Sequence, residues 1–334
     1  MSRDCLPDFR RRRPKAIIGH MGGAATGLLA KSSHGEGVDM SVLRTPDERF
    51  APLPGYAFAP CYFEGAGGQR MHYLDEGEKN APVALCLHGQ PTWSYLYRKM
   101  VPAFVAAGLR VIAPDFFGFG RSDKPEEEAT YTFDFHRGSI IALIDALDLK
   151  RITLVCQDWG GLIGLTIPMD MPHRFERLLV MNTAMGTGDT PLGEGFLAWR
   201  AFSNSKPDMD IAALMKRAVP ALSEAEANAY AAPFPDTRYK AGVRRFPNLV
   251  PDRPDAEGAA LSRRARDFWA KNWTGKSFMA IGMKDPVLGP PAMRALHPNI
   301  RNCPAPLELT EAGHFTQETG AVIVEAAMAS FAAT

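Results

Sequence analysis

Three side chains, met in the order Asp158, Asp285 and His314, hold the chemistry this chain can perform. Asp158 lies in Cys156-Gln157-Asp158-Trp159-Gly160, where a β-branched, apolar run ends in a polar pair, an indole and two glycines before a helix-like segment. That layout is a nucleophile elbow, a sharp strand-to-helix turn that lifts one side chain above a sheet. The usual pattern is Gly-x-Ser-x-Gly, so here a carboxylate stands where the nucleophile belongs. Asp285 follows an apolar run in Gly282-Met-Lys-Asp285-Pro, and His314 sits in Glu311-Ala-Gly-His314-Phe ahead of the last helical stretch. Alone, an aspartate after a strand is usually a turn or cap residue, and a loop histidine a surface group. Together, in the order nucleophile, acid, histidine, they read as a catalytic triad.

The carboxylate decides what such a triad can do. Serine attacking saturated carbon would leave an ether that water cannot cleave, and the enzyme would stop after one turnover. A carboxylate attacking saturated carbon gives an alkyl ester. Water deprotonated by His314 can hydrolyse that ester at its carbonyl, with Asp285 orienting and stabilising the imidazolium. Displacement at saturated carbon is therefore expected, with halide or epoxide oxygen as leaving group. A departing halide needs weak N–H donors in a dry pocket, and an indole is a donor with an otherwise apolar body. Trp159 adjoins the nucleophile, and Trp199 lies on a predicted helix in Gly195-Phe-Leu-Ala-Trp199-Arg. An epoxide instead needs an acid for its alkoxide, and Tyr230 and Tyr239 are the candidates. His88-Gly89-Gln90-Pro91 follows an earlier apolar strand, so the backbone N–H of Gln90, with that of Trp159, would form an oxyanion hole.

These residues must be placed by an α/β framework. Pro82–His88, Arg110–Pro114, Ile152–Cys156, Leu178–Asn182, Phe278–Gly282 and a stretch near Pro306–Leu309 have strand length and continuous apolar character. Helical periodicity between them (Ser94–Ala107, Thr132–Leu149, Ser262–Trp273 and from about Thr319) predicts a mostly parallel sheet flanked by helices. Phe58–Phe63 and Met71–Asp75 read as a hairpin about the glycine-rich turn from Gly65. The alternation stops between Thr183 and Pro254, where helical pieces (Glu194–Phe202, Ile211–Val219, Ser223–Ala232) are separated by proline-rich loops. The expected organisation is a core of residues 40–182 and 255–334 with a helical cap, 183–254, inserted over the strand ends where open α/β sheets bind ligands.

Composition agrees with a soluble enzyme of small molecules. Hydrophobic residues make up 46% and charged residues 22%, and 38 Lys+Arg against 37 Asp+Glu leave a net charge of +1. No global field would draw nucleic acid or an anionic membrane. Five scattered cysteines without Cys-x-x-Cys argue against a disulfide framework or zinc site and for a reducing, cytoplasmic compartment. Residues 1–39 differ from the rest: Arg10–Arg13 precede a glycine-rich, weakly apolar stretch. This resembles a twin-arginine leader, which would imply periplasmic export; the alternatives are an extension, or a start at Met40.

From about Met40 onward the chain resembles the haloalkane dehalogenases of the α/β-hydrolase superfamily. The carrying stretches are His88-Gly-Gln-Pro-Thr-Trp-Ser-Tyr-Leu-Tyr-Arg98, Ala113-Pro-Asp-Phe-Phe-Gly-Phe-Gly120, Val155-Cys-Gln-Asp-Trp-Gly-Gly161, Gly282-Met-Lys-Asp285 and Ala312-Gly-His314-Phe. The resemblance is to the subfamily whose acid follows the later strand, as Asp285 does, rather than the strand ending at Asn182. It implies nucleophile Asp158, base His314, acid Asp285, halide donors Trp159 and Trp199, and oxyanion amides from Gln90 and Trp159. It also implies no metal, no organic cofactor, and a small halogenated hydrocarbon and water as substrates; a monomer is expected. Family members commonly carry Asn or Glu at the Gln90 position. Phe196, Phe202, Leu162 and Leu288 are expected to line a small dry cavity suited to short haloalkanes. Asp158-Trp159 departs from the fluoroacetate-type dehalogenases, which resemble Asp-Arg there. An epoxide hydrolase and a non-catalytic, hydrolase-like receptor are the rival readings.

Overall fold

The computed structural model describes residues 41–65 and 68–333; the segment 1–39, with its leader and extension readings, lies outside them. Two short strands, β1 (Val42–Leu43) and β6 (Lys124–Pro125), pair apart from the main sheet. That sheet contains β2 (Cys61–Glu64), β3 (Arg70–Glu76), β4 (Val83–Leu87), β5 (Arg110–Pro114), β7 (Ile152–Gln157), β8 (Phe175–Met181), β9 (Lys276–Gly282) and β10 (Leu307–Leu309), in the order β10-β9-β8-β7-β4-β5-β3-β2. Only β3 runs against its neighbours. Every residue of β4, β5 and β7 is buried. This is why those strands read as unbroken apolar runs and not as alternations: helices cover both faces of a parallel sheet.

Helices α1 (Val101–Ala106), α2 (Phe133–Ala146) and α3 (Trp159–Gly164) alternate with the strands. Thr132 starts α2 by accepting the Phe135 N–H at 3.0 Å. The single helix expected over 94–107 is instead a 3-10 turn, Ser94–Tyr97, followed by α1, because Pro102 fits only the first turn of a helix. After β8 come α4 (Glu194–Asn204), α5 (Ile211–Ala218), α6 (Glu224–Ala231) and α7 (Ala241–Leu249) with no strand between them. Asp210 caps α5, and a Ser223–Glu226 capping box starts α6. The alternation resumes with α8 (Ala259–Asp267), α9 (Pro290–Leu296) and α10 (Ala321–Ala332).

Helix α7 has no counterpart in the sequence reading, which took its proline for a loop. Pro247 lies inside it, but burial of Val243, Phe246, Pro247 and Leu249 holds the helix in place. Tertiary packing overrides the weak local preference here.

A buried guanidinium fastens this helical layer to the sheet. Arg98 donates to both Glu318 oxygens (2.5 and 3.0 Å), to Glu226 of α6 at 2.8 Å and to the Tyr230 hydroxyl at 3.3 Å. Glu318 belongs to the 3-10 turn Thr316–Thr319 just past His314, so the same cluster steadies the histidine loop. Among the described residues, Cys86, Cys156 and Cys303 are free thiols and Cys61 is disulfide-bonded. No helix there is long and apolar enough to cross a membrane.

Candidate active site

Asp158 ends β7 with φ 51° and ψ −124°, a left-handed conformation that a side chain rarely adopts. The turn holds because its neighbours are small. A Cβ on Gly160 would lie 2.0 Å from the Leu87 carbonyl oxygen, and one on Gly89 would lie 2.2 Å from Asp158 Oδ1. Glycine at both positions lets β4 and its following loop close onto the nucleophile. Asp158 N–H donates to Asn182 O at 2.9 Å, and Thr183 Oγ1 donates to Asp158 O at 2.7 Å, so β8 secures the turn from the other side. Cys156, where glycine is usual, is fully buried opposite Leu87 and Val180 and serves as a small apolar side chain.

The carboxylate is asymmetric. Gln90 N–H donates to Asp158 Oδ1 at 2.8 Å, and the Trp159 backbone N–H also bonds this carboxylate. Oδ2 faces His314 Nε2 at 3.6 Å. Burial pushes the Asp158 carboxyl up; the His314 charge and the two backbone donors oppose this. His314 Nδ1 lies 2.8 Å from Asp285 Oδ2. Burial lowers the His314 pKa, but the charge and hydrogen bond of Asp285 and the charge of Asp158 outweigh that and raise it to about 9. Asp285 is brought down to about 2: burial opposes this, and His314, Asn182 Nδ2 (2.8 Å from Oδ2) and Val287 N–H (2.8 Å from Oδ1) overcome it.

Two buried amides hold this array and were not singled out from the sequence as site residues. Asn182, at the end of β8, donates to Asp285 and accepts Gly282 N–H at 2.7 Å, so it sets the acid and the end of β9 together. Gln157, beside the nucleophile, places Nε2 2.9 Å from His314 Nε2 and 3.1 Å from His314 O. Polar residues closing two otherwise apolar strands were the signal for both. His88 fixes the loop that carries Gln90. Its Nδ1 donates to Gly89 O at 2.8 Å and its Nε2 accepts Phe116 N–H at 2.9 Å, which requires the neutral ring.

A cavity of about 820 Å³ opens above Asp158. Its wall includes Gln90, Trp159, Leu162, Phe196, Trp199, Leu288, Asp285 and His314. Two expectations change. The cavity is not small, being near the upper end for small-molecule sites. Phe202 is not part of its wall: it packs behind Trp199 with ring centroids 6.0 Å apart, and the Arg217 guanidinium lies over it at 5.2 Å. Tyr230 and Tyr239 do not line the cavity either. Tyr230 is buried and its hydroxyl is spent on Glu318, while Tyr239 packs against the core.

Of the five tryptophans, three donate their indole N–H to protein: Trp93 to Ala229 O (3.2 Å), Trp269 to Leu165 O (2.7 Å) and Trp273 to Ser277 Oγ (2.9 Å). The two that line the cavity, Trp159 and Trp199, have no protein acceptor among the described residues. Phe246 of α7 packs on the Trp159 ring at 4.6 Å. The Gln90 amide, by contrast, is committed to a protein acceptor. Its Nε2 donates to Val243 O at 3.0 Å. That carbonyl sits four residues before Pro247, which lacks the N–H that would fill it in a regular helix. Among the described residues no cluster of His, Cys, Asp and Glu is arranged to hold a metal.

Comparison with known proteins agrees with this geometry. Residues 82–321 match the family model of the alpha/beta hydrolase fold. A haloalkane dehalogenase of Psychrobacter cryohalolentis is 46% identical over 84% of this chain and 94% of its own length. One from Mycobacterium marinum is 43% identical over 84% and 95%. The structure of a tetrameric haloalkane dehalogenase, DpaA of Paraglaciecola agarilytica, is 52% identical and superposes with a TM-score of 0.85, covering 87% of this chain and 99% of that one. An elbow carrying a carboxylate, a histidine–aspartate pair facing it and a relationship of this closeness leave one assignment: the chain belongs to the haloalkane dehalogenases, α/β-hydrolases that replace a carbon–halogen bond with a carbon–oxygen bond by hydrolysis.

Proposed function

We propose that Asp158 Oδ2 attacks the halogen-bearing carbon of a short haloalkane, that Trp159 and Trp199 receive the halide, and that His314 activates the hydrolytic water. The observation that carries this reading is the pairing of a carboxylate nucleophile with two cavity-facing indoles that have no protein acceptor among the described residues. In the first step the carbon–halogen bond breaks with its electron pair on the halide, and Oδ2 becomes the ester oxygen. Oδ1 stays with the backbone N–H of Gln90, and the Trp159 N–H bonds the same carboxylate. Water then attacks the ester carbonyl carbon, His314 Nε2 takes its proton, and the oxyanion forms on Oδ1, where the Gln90 donor already lies. Collapse releases the alcohol, which takes up a proton. Asp285 stabilises the imidazolium between those events. The side chains in these roles all come from one chain, so a single chain is the catalytic unit in a monomer or in an assembly.

Halide release from chloro- and bromoalkanes of increasing chain length, catalysed by the full chain, tests the reading directly. Absence of halide from folded protein across that panel would sink it. Replacing Trp159 or Trp199 by Phe should lower kcat/KM by about 10- to 100-fold, because each removes one donor to developing charge. Halide titration followed by tryptophan fluorescence should weaken in parallel; unchanged halide affinity in both variants would remove the indoles from this role.

The epoxide reading loses its acids, since neither Tyr230 nor Tyr239 borders the cavity. Tyr230→Phe should therefore leave haloalkane turnover within a few-fold and reduce stability by about 1 kcal/mol through its lost bond to Glu318. Steady-state rates and a thermal melt check both halves. Diol formation from simple epoxides that disappears in Tyr230→Phe would restore the rival.

A further inference from the structure

We propose that Gln157 is a positioning residue that favours the neutral form of His314 once Asp158 is esterified, by holding an amide N–H beside Nε2, the atom that must take the proton from water. This rests on the roles assigned above to Asp158 and His314.

The orientation of the Gln157 amide follows from its neighbours. The Gln157 terminal atom next to His314 lies 3.1 Å from the His314 carbonyl oxygen, which can only accept, so that atom is the amino nitrogen. On its other side, Gln317 Nε2 donates to Gln157 Oε1 at 3.4 Å, which again puts oxygen away from the ring. One N–H of the amino group serves the carbonyl. The second is directed at His314 Nε2, 2.9 Å away. With Nδ1 occupied by Asp285 at 2.8 Å, the ring then has its proton on Nδ1 and its lone pair on Nε2. Protonation of Nε2 would set N–H against N–H at that distance. Gln157, Gln317 and Asp285 are all buried, so on their side of the ring the amide is held in place by protein groups.

The charges that bear most on this ring act the other way. Asp158 at the end of β7 and Asp285 after β9 both favour the imidazolium. Arg217 of α5, Arg266 of α8 and Lys284 line the same cavity and are cationic, and the Ala218 carbonyl at the end of α5 lies 3.7 Å from a Cβ placed on Gly313. Glu318, past His314, is committed to Arg98 and Lys99. Gln157 is thus a direct contact that opposes the two carboxylates. A hydrogen bond made to the neutral form lowers the pKa of the group that receives it.

The experiment follows the alkyl ester by rapid mixing of the full chain with a 1-bromoalkane, quenching and intact-mass analysis from pH 5 to 10. Ester formation and ester decay are read separately. In Gln157→Met the acid limb of ester decay should move up by about one pH unit, the size expected for losing one hydrogen bond to the neutral ring. Formation of the ester should change little. Gln157→Glu is nearly isosteric and substitutes an acceptor for the donor, so its limb should move further up. Gln317→Leu leaves Gln157 in place but unlocks its amide, and should give a smaller upward shift. If the limb stays where it is in the parent for both Gln157→Met and Gln317→Leu, Gln157 only packs beside the histidine and the proposal is overturned. If the parent forms no ester on Asp158 at all, it is the underlying site reading that fails.

Discussion

His314→Gln is expected to convert the protein into one that releases a single equivalent of halide and then stops. Displacement needs Asp158, the backbone amides on its carboxylate and the indoles, none of which this change touches. Hydrolysis needs a base on the water, and His314 Nε2, 3.6 Å from Asp158 Oδ2, is the group placed to supply it. Loss of a general base removes about 10²- to 10⁴-fold in rate, so the ester should survive long enough to isolate. Intact mass would rise by the alkyl group, and peptide mapping would place it on Asp158. Turnover at near-parental rate, or an adduct on another residue, would be incompatible with the mechanism.

The same step carries a pH dependence whose direction follows from the charges. In the free enzyme two carboxylates hold the His314 pKa up at about 9. Esterification removes the negative charge of Asp158, so one of those carboxylates disappears when the base is required. The histidine pKa in the intermediate therefore falls below its free-enzyme value. Ester decay requires the neutral ring, so its rate is lost as pH falls through that lower pKa and is full above it. Single-turnover decay at a series of pH values should show an acid limb well below 9; a limb at or above 9 would contradict this coupling.

Asp158→Ala has the second large effect, and its two halves run in opposite directions. Activity should fall to background, a loss on the order of 10⁴-fold or more, because Asp158 is the carboxylate that faces both the cavity and the His314 base. No adduct should form, even with His314 intact, and this separates it from the histidine variant. Stability should not fall with it. Burial pushes the Asp158 carboxyl pKa above its unfolded value, so in the window between the two the native state binds more protons and stability declines as pH rises through it. Above that window the buried charge is a net penalty that alanine lacks. The melting temperature of Asp158→Ala at neutral pH should lie at or above that of the parent, as expected where a site is held against stability for function. A fall of several degrees would show that the carboxylate's bonds to Gln90 and Trp159 outweigh its desolvation.

The sequence made the triad legible because each member lies in the loop that follows a strand and breaks a pattern there. Asp158 replaces serine in a turn otherwise spelled in glycine, and Trp159 follows it directly. Strands buried on both faces are also easy to read, since β4, β5 and β7 permit almost nothing polar. What escaped was set by packing between distant segments. Helix α7 contains Pro247 and has a poor local signal, yet it brings Phe246 onto Trp159. Phe202 had the same sequence credentials as Phe196, but its direction around α4 puts it behind Trp199. Gln157 and Asn182 look like ordinary strand ends until β7, β8 and the histidine loop are side by side. Tyr230, an acid by sequence, is consumed by a buried ion cluster that no spacing reveals.

One contact made by Gln90 has an evolutionary side. Its backbone serves the nucleophile, while its amide fills the Val243 carbonyl that Pro247 leaves open. Positions 90 and 247 are therefore not independent characters. A lineage that gained a non-proline residue at 247 would acquire a rival N–H for that carbonyl and release the glutamine amide toward the halide. An asparagine at 90, one methylene shorter, would fall short of the same carbonyl and leave it unfilled. Grafting a cap from one relative onto the core of another should thus succeed or fail partly on whether these two positions travel together.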